Sequence, residues 1–71
     1  MQKTTDAVTT AIRVEMTRHR LTQRDLATAL GVTQATVSSR MNGHTDWSLG
    51  ELRVIAEALG MSLVDLLADA A

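Results

Sequence analysis

The segment from Leu21 to Gly43, LTQRDLATALGVTQATVSSRMNG, constrains the fold of this chain more than any other. The Thr22 hydroxyl can cap a helix, and Asp25 three residues on makes an imperfect capping box. Apolar side chains then recur at helical spacing as far as Leu30, and Gly31 follows where a left-handed residue ends a helix. The segment therefore predicts a short helix from Thr22 to Leu30 that closes in a tight turn.

A second short helix, over 33–42, follows the turn. Thr33 can cap it, and Val37 and Met41 lie one turn apart on its buried side. Nothing long or negatively charged stands on its other face, which suits close approach to the edges of base pairs. The side chains on that face are small and uncharged: Gln34, Ala35, Ser38 and Ser39.

Three further helices complete the pattern, at about 5–20, 48–59 and 62–68. We expect the first to pack over the two helices of the central segment. It carries one apolar stripe, on which His19 is predicted to be a packed or partly buried imidazole rather than a metal ligand. The members of the stripe are Val8, Ile12, Met16 and His19.

Ser48 and Ser62 can cap the last two helices. The helix after Ser48 is expected to end at Gly60 and to bury one face made of Leu49, Leu52, Ile55, Ala56 and Leu59. The whole pattern predicts an all-α, five-helix domain over 1–71 with short connections, and fraying at 69–71.

Composition narrows the classes of protein. Hydrophobic residues make up 45% of the chain, but ten of them are alanine and Trp47 is the only aromatic, so the core must be small and closely packed. The chain has no cysteine, which excludes a disulfide scaffold and Cys-based zinc or redox sites. We find no metal-ligand cluster, catalytic constellation, cofactor motif or apolar membrane segment, and no small-molecule ligand is expected. The absence of a signal peptide points to the cytoplasm.

Charge is distributed unevenly along the chain. The net charge is −1, but residues 1–44 carry six basic and three acidic residues, whereas residues 45–71 carry one basic and five acidic residues. We expect the positive part, which contains the central segment, to face the phosphates of a nucleic acid. The modest total predicts weak non-specific binding with a moderate dependence on salt.

Four short motifs occur in a characteristic order over roughly residues 12–68. They are Thr-Gln at 22–23, Leu-Ala-x-x-Leu-Gly-Val-Thr-Gln at 26–34, Asn-Gly at 42–43 and Ala-x-x-Leu-Gly-Met-Ser-Leu-x-x-Leu-Leu at 56–67. Together they resemble the Xre and Cro/C1-type helix-turn-helix family of phage repressors and bacterial regulators. The resemblance implies a lambda-repressor-like fold and a transcriptional regulator, of phage or bacterial host origin, that binds double-stranded DNA in a sequence-specific way.

The resemblance also implies where DNA is bound. In the family, the amino end of the second helix and the loop after the third hold phosphates, which here assigns Thr22, Gln23, Asn42 and Gly43. By position, Thr36, Arg40 and His44 join them as phosphate candidates.

Base readout is implied for the first turn of the third helix. Gln34 is the strongest candidate, since its amide can pair with N6 and N7 of adenine, and Ala35 can contact a thymine methyl. Thr33, Ser38 and Ser39 can bond bases, phosphates or water. By itself Gln34 is equally consistent with a solvated surface residue. Three other arginines of the positive part are better explained as exposed helix charges: Arg13, Arg18 and Arg24.

Two positions depart from the family. Met16 and Met41 stand where many members pair an arginine with a glutamate, and we expect these apolar side chains to touch in the core. Trp47 replaces a loop residue that is commonly proline. It is predicted to close the core ahead of the fourth helix, with an exposed anchor for a partner as the alternative.

One such domain reads only a few base pairs, so we expect two copies on a palindromic operator with half-sites ~34 Å apart, as a weak homodimer completed on DNA. The candidate dimer contacts are Trp47, Met61, Leu63 and Val64. The alternatives are a protein-interaction module, such as an antitoxin or regulatory subunit, and a fragment of a longer repressor. An interaction module would need a contiguous apolar patch, for which the sequence offers Trp47, Val14, Leu63 and Val64.

Overall fold

The computed structural model describes residues 4–70, with side chains from residue 6 onward, and this part of the chain contains five α-helices and no strand. Apart from the start of α1, which coincides with the first described residue, each helix boundary lies one residue or less from its predicted position. Among the described residues, no helix is both long and apolar enough to cross a membrane. The helices are α1 (Thr4–His19), α2 (Gln23–Leu30), α3 (Gln34–Met41), α4 (Leu49–Ala58) and α5 (Leu63–Asp69).

Hydroxyl caps fix the starts of α2 to α5. The side-chain oxygens of Thr22, Thr33, Ser48 and Ser62 each accept a backbone N–H bond of 3.1 Å from the residue three positions on, as predicted. In α2 and α4 an acidic residue completes a capping box by accepting the N–H of the cap residue at 2.8 Å. Each cap contributes about 1 kcal/mol, which matters in helices this short.

The core takes one apolar face from each helix. Its most deeply buried side chains are Ile12, Leu26, Val37, Ile55, Leu59 and Leu66. Met16 and Met41 are both buried in this core, as expected, while direct contact between their side chains stays a prediction.

Trp47 is 7% exposed and lies in the core just before α4. The prediction that it closes the core is therefore confirmed. The alternative, an exposed anchor for a second protomer or a partner, is wrong, because the indole is already covered by this chain. Trp47 is therefore no longer a candidate for a contact between two protomers.

Three expectations about the helix faces are wrong. α1 packs chiefly against α5, not over α2 and α3. The His19 side chain is 47% exposed, with Nε2 3.7 Å from Oε2 of the buried Glu15. Leu49 is 64% exposed at the first position of α4. Helical periodicity identifies which face of a helix is buried. It does not identify which helix packs against that face or how much of its length is packed.

Candidate nucleic-acid interface

The turn between α2 and α3 brings the two helices together. Gly31 ends α2 with φ +70°, and the Val32 N–H donates to the Ala27 carbonyl at 3.0 Å. A Cβ at Gly31 would meet nothing within 4 Å, so the backbone conformation rather than space favours glycine. Thr33 then starts α3 in an extended conformation, and α3 packs directly on α2.

The first turn of α3 projects away from the core. Gln34 and Ala35 are exposed, while Val37 and Met41 are buried on the opposite side of the helix. The Gln34 amide has no hydrogen-bond partner among the residues that the structure describes. Its two donors and its carbonyl oxygen are therefore available to a ligand.

The hydroxyl candidates of α3 are all engaged within the chain. Thr33 Oγ1 and Thr36 Oγ1 lie 2.9 Å apart and share a hydrogen bond. Ser38 Oγ accepts from Asn42 Nδ2 at 3.3 Å, and Ser39 Oγ bonds the Thr45 hydroxyl at 3.2 Å. Ser38 and Ser39 are half-buried as well, so the part of α3 that is free to reach a base is its first turn.

The amino end of α2 holds two of the predicted phosphate contacts, Thr22 and Gln23. The backbone N–H of Thr22 is already donated to Asp25, so the N–H groups left without an intrahelical acceptor are those of Gln23 and Arg24. The bond from the Thr22 N–H, followed by that with the Thr22 hydroxyl, lowers the pKa of the Asp25 carboxyl. A charged carboxylate therefore stands beside these donors at neutral pH and weakens their attraction for a phosphate.

The loop after α3 presents three more of the predicted phosphate contacts. Asn42, Gly43 and His44 are exposed, and Gly43 has φ +79°. The backbone N–H groups of Asn42, Gly43 and His44 are bonded back to the carbonyls of α3, which fixes the loop. The side chains of Asn42 and His44 thus project from a rigid loop at the end of α3 opposite Gln34.

Arg40, a predicted phosphate contact, forms an ion pair within the chain. Its Nε donates to Glu51 Oε1 at 2.8 Å, and the two side chains are only 20% and 16% exposed. Burial raises the pKa of Glu51, but the bonds from Arg40 and from the Ser48 N–H outweigh it, and the pKa lies below its ordinary value. Arg40 therefore ties the last turn of α3 to the first turn of α4.

Arg13 is a residue whose role the sequence analysis missed. Arg13 is exposed on α1, as expected, but its Nη2 also donates to the Met41 carbonyl oxygen at 3.1 Å, across 28 positions. No local pattern signals such a bond, because the acceptor is a backbone carbonyl that every residue carries.

The remaining dimer candidates lie around the start of α5. Met61 and Leu63 are half-buried against the core, whereas Val64 is 75% exposed. Leu67, which the sequence analysis did not single out, is exposed one turn after Val64 on the same side of α5. The i, i+3 spacing of the pair is the signal that was available for it.

The family model described as helix-turn-helix (HTH_3) matches residues 12–66, which include α2, the turn, α3 and the loop that follows. Comparison with curated proteins and with solved structures found no match. The match covers well over half of the chain, and it spans every residue assigned above to a base or a phosphate. The chain belongs to the helix-turn-helix family of the Xre and Cro/C1 type, a family of DNA-binding regulators.

Proposed function

We propose that this chain is a sequence-specific transcriptional regulator that reads the major groove of double-stranded DNA with the first turn of α3. The observation that carries the proposal is the exposed amide of Gln34, which has no hydrogen-bond partner among the described residues, at the capped start of a short helix. The major groove admits a helix and displays a distinct pattern of donors and acceptors for each base pair.

Gln34 is the proposed reader of adenine, because its amide donates to N7 and accepts from N6 at the same time. Such a pair discriminates against the wrong base by ~1–3 kcal/mol. Ala35, exposed beside it, contacts a thymine methyl. The hydroxyls of Thr33, Ser38 and Ser39 contribute less, since each is already held in a hydrogen bond within the chain and Ser38 and Ser39 are half-buried as well.

Phosphates are held on either side of the reading turn. The candidates are the free N–H groups at the start of α2, with the side chain of Gln23, which precede α3 in the chain, and the loop of Asn42, Gly43 and His44, which follows it. The hydroxyls of Thr22 and Thr36, which are already in hydrogen bonds within the chain, add weaker contacts. Contacts of this kind fix the register of the protein on the duplex without carrying sequence information.

A second copy of the chain binds the second half-site of the operator. The exposed pair Val64 and Leu67 on α5 offers the apolar surface for a weak homodimer, rimmed by the half-buried Met61 and Leu63. Val64→Asp is expected to lower cooperativity on a two-half-site duplex, and Leu49→Asp, at the exposed leucine that begins α4, is the matched control. Sedimentation with and without operator tests the proposal, and saturation by one protomer per site contradicts it.

Selection of bound duplexes from a random-sequence library at near-physiological salt tests the proposed function. We expect enrichment of an inverted repeat with half-sites ~34 Å apart. No enrichment overturns the proposal and favours a protein-interaction module in the bacterial cytoplasm instead. The apolar patch that an interaction module would need is smaller than the sequence suggested, since Trp47 is buried and Leu63 is half-buried.

A further inference from the structure

Two guanidinium groups connect the last turn of α3 to other helices, one reaching it from α1 and one extending from it to α4. From α1, Arg13 Nη2 donates to the Met41 carbonyl at 3.1 Å. Towards α4, Arg40 Nε donates to Glu51 Oε1 at 2.8 Å. These bonds join α3 to two helices that are distant in sequence, 28 and 11 positions away.

The buried apolar face of α3 is narrow. The helix has eight residues, and the hydrophobic side chains that it buries are Val37 and Met41, which lie one turn apart along a single line. Two contacts on a line leave rotation of the helix about that line weakly resisted. A side chain that reads a base must be held to within roughly 0.5 Å and 10–20°.

The acceptor for Arg40 is itself held in place. The same Oε1 of Glu51 accepts the Ser48 N–H at 2.8 Å, and the Glu51 N–H donates to Ser48 Oγ at 3.1 Å. Glu51 therefore belongs to the capped first turn of α4, and Arg40 is tied to a rigid element rather than to a mobile side chain.

We propose that Arg13 and the Arg40–Glu51 pair are positioning residues, which fix the rotation of α3 and so the angle at which Gln34 meets a base. The inference rests on the proposed function. It also explains how the chain connects α1 to the end of α3 without an ion pair at Met16 and Met41. The Met41 side chain packs in the core, and its carbonyl takes the bond from Arg13.

Glu51→Ala separates this role from a direct phosphate contact by Arg40, because the two predict opposite signs. Removing an acid and freeing Arg40 strengthens binding to any duplex if Arg40 contacts phosphate. Loss of positioning instead weakens binding to the selected duplex by about tenfold and leaves binding to a scrambled duplex equal or stronger. Ser48→Ala removes the other half of the same capping box, the bond from the Glu51 N–H to Ser48 Oγ, while sparing the Arg40–Glu51 bond, and Ser62→Ala removes the cap of α5. Both controls keep the parent's ratio of selected to scrambled affinity.

Arg13→Lys tests the other side of α3 at constant charge. A lysine keeps the salt dependence but not the planar guanidinium geometry, so the same ratio is expected to fall while scrambled binding stays unchanged. Glu51→Gln keeps an acceptor for Ser48 and Arg40 and serves if Glu51→Ala does not fold, with a smaller fall. All affinities are measured by fluorescence anisotropy at a temperature where urea titration shows each variant to be folded.

The outcomes are distinct. An unchanged ratio in Arg13→Lys and in the Glu51 variants overturns the positioning role while leaving the proposed function intact. Stronger binding of Glu51→Ala to both duplexes overturns it in favour of a phosphate contact by Arg40. A parent chain that does not distinguish the two duplexes overturns the proposed function, and the inference with it.

Discussion

The indole Nε1 of Trp47 donates a hydrogen bond to the Thr9 hydroxyl, 3.0 Å away and 38 positions earlier in the chain. The bond satisfies the polar atom of a buried side chain and connects the segment before α4 to α1. No buried side-chain nitrogen or oxygen in the described part of the chain lacks a partner. Trp47 is therefore integrated into the core and reports on its integrity.

Thr9→Val is expected to lower the free energy of unfolding by about 1–3 kcal/mol, because it leaves the buried indole N–H without an acceptor at nearly constant shape. Thr9→Ser keeps the hydroxyl and is the control. Urea titration followed by the fluorescence of Trp47, the only aromatic residue, measures both. Equal stability of Thr9→Val and the parent would show that the bond is not needed.

Arg20→Gly is expected to stabilise the fold by about 0.5–1 kcal/mol. Arg20 has φ +58°, a left-handed conformation that disfavours residues with a Cβ, where the chain leaves α1. Gly60→Ala is the reciprocal control, since Gly60 has φ +70° with nothing within 4 Å of an added Cβ. It should destabilise through the backbone alone. Thermal unfolding checks both signs, and a loss of stability in Arg20→Gly contradicts the backbone argument.

Acid is expected to destabilise the fold through Glu51. Burial raises the pKa of this carboxyl, but the bonds from Arg40 and the Ser48 N–H lower it by more than burial raises it. The pKa of Glu51 in the folded chain therefore lies below the ordinary 4.5. The unfolded chain then binds the proton more tightly, and the contribution is complete above pH 4.5 and lost as the pH falls through the folded value.

Glu51→Gln removes this proton equilibrium, so its urea midpoint is expected to fall less steeply than the parent's between about pH 5 and about pH 3. Asp25 acts in the same direction through its bonds with Thr22 and retains part of the slope. Parallel curves for the parent and Glu51→Gln are the result that the account excludes.

The sequence predicts the local features of this fold well. The helix caps are predictable because a cap involves residues only three positions apart. They are Thr22, Thr33, Ser48 and Ser62. Gly31 is recognisable for the same reason, since the turn that it forms depends on its own backbone angles.

Contacts between distant residues were not predictable. Three side-chain hydrogen bonds depend on how whole helices pack: Arg13 to Met41, Arg40 to Glu51 and Trp47 to Thr9. Helical periodicity also predicted, wrongly, that Leu49 lies in the core, because an apolar stripe does not show how far along it the neighbouring helices pack. The position of Gln34 follows from local signals, whereas the bonds that hold its helix do not.

Parallel selection from a random duplex library with the parent and Gln34→Ala tests the central claim most directly, with Gln23→Ala as the control. Gln34 is assigned to base readout and Gln23 to phosphate, so the two amides should differ in effect. We predict that Gln34→Ala loses the preference for one base pair in each half-site, while Gln23→Ala binds more weakly with the same preferences. An unchanged base preference in Gln34→Ala would contradict the assignment of α3 as the reading helix through Gln34.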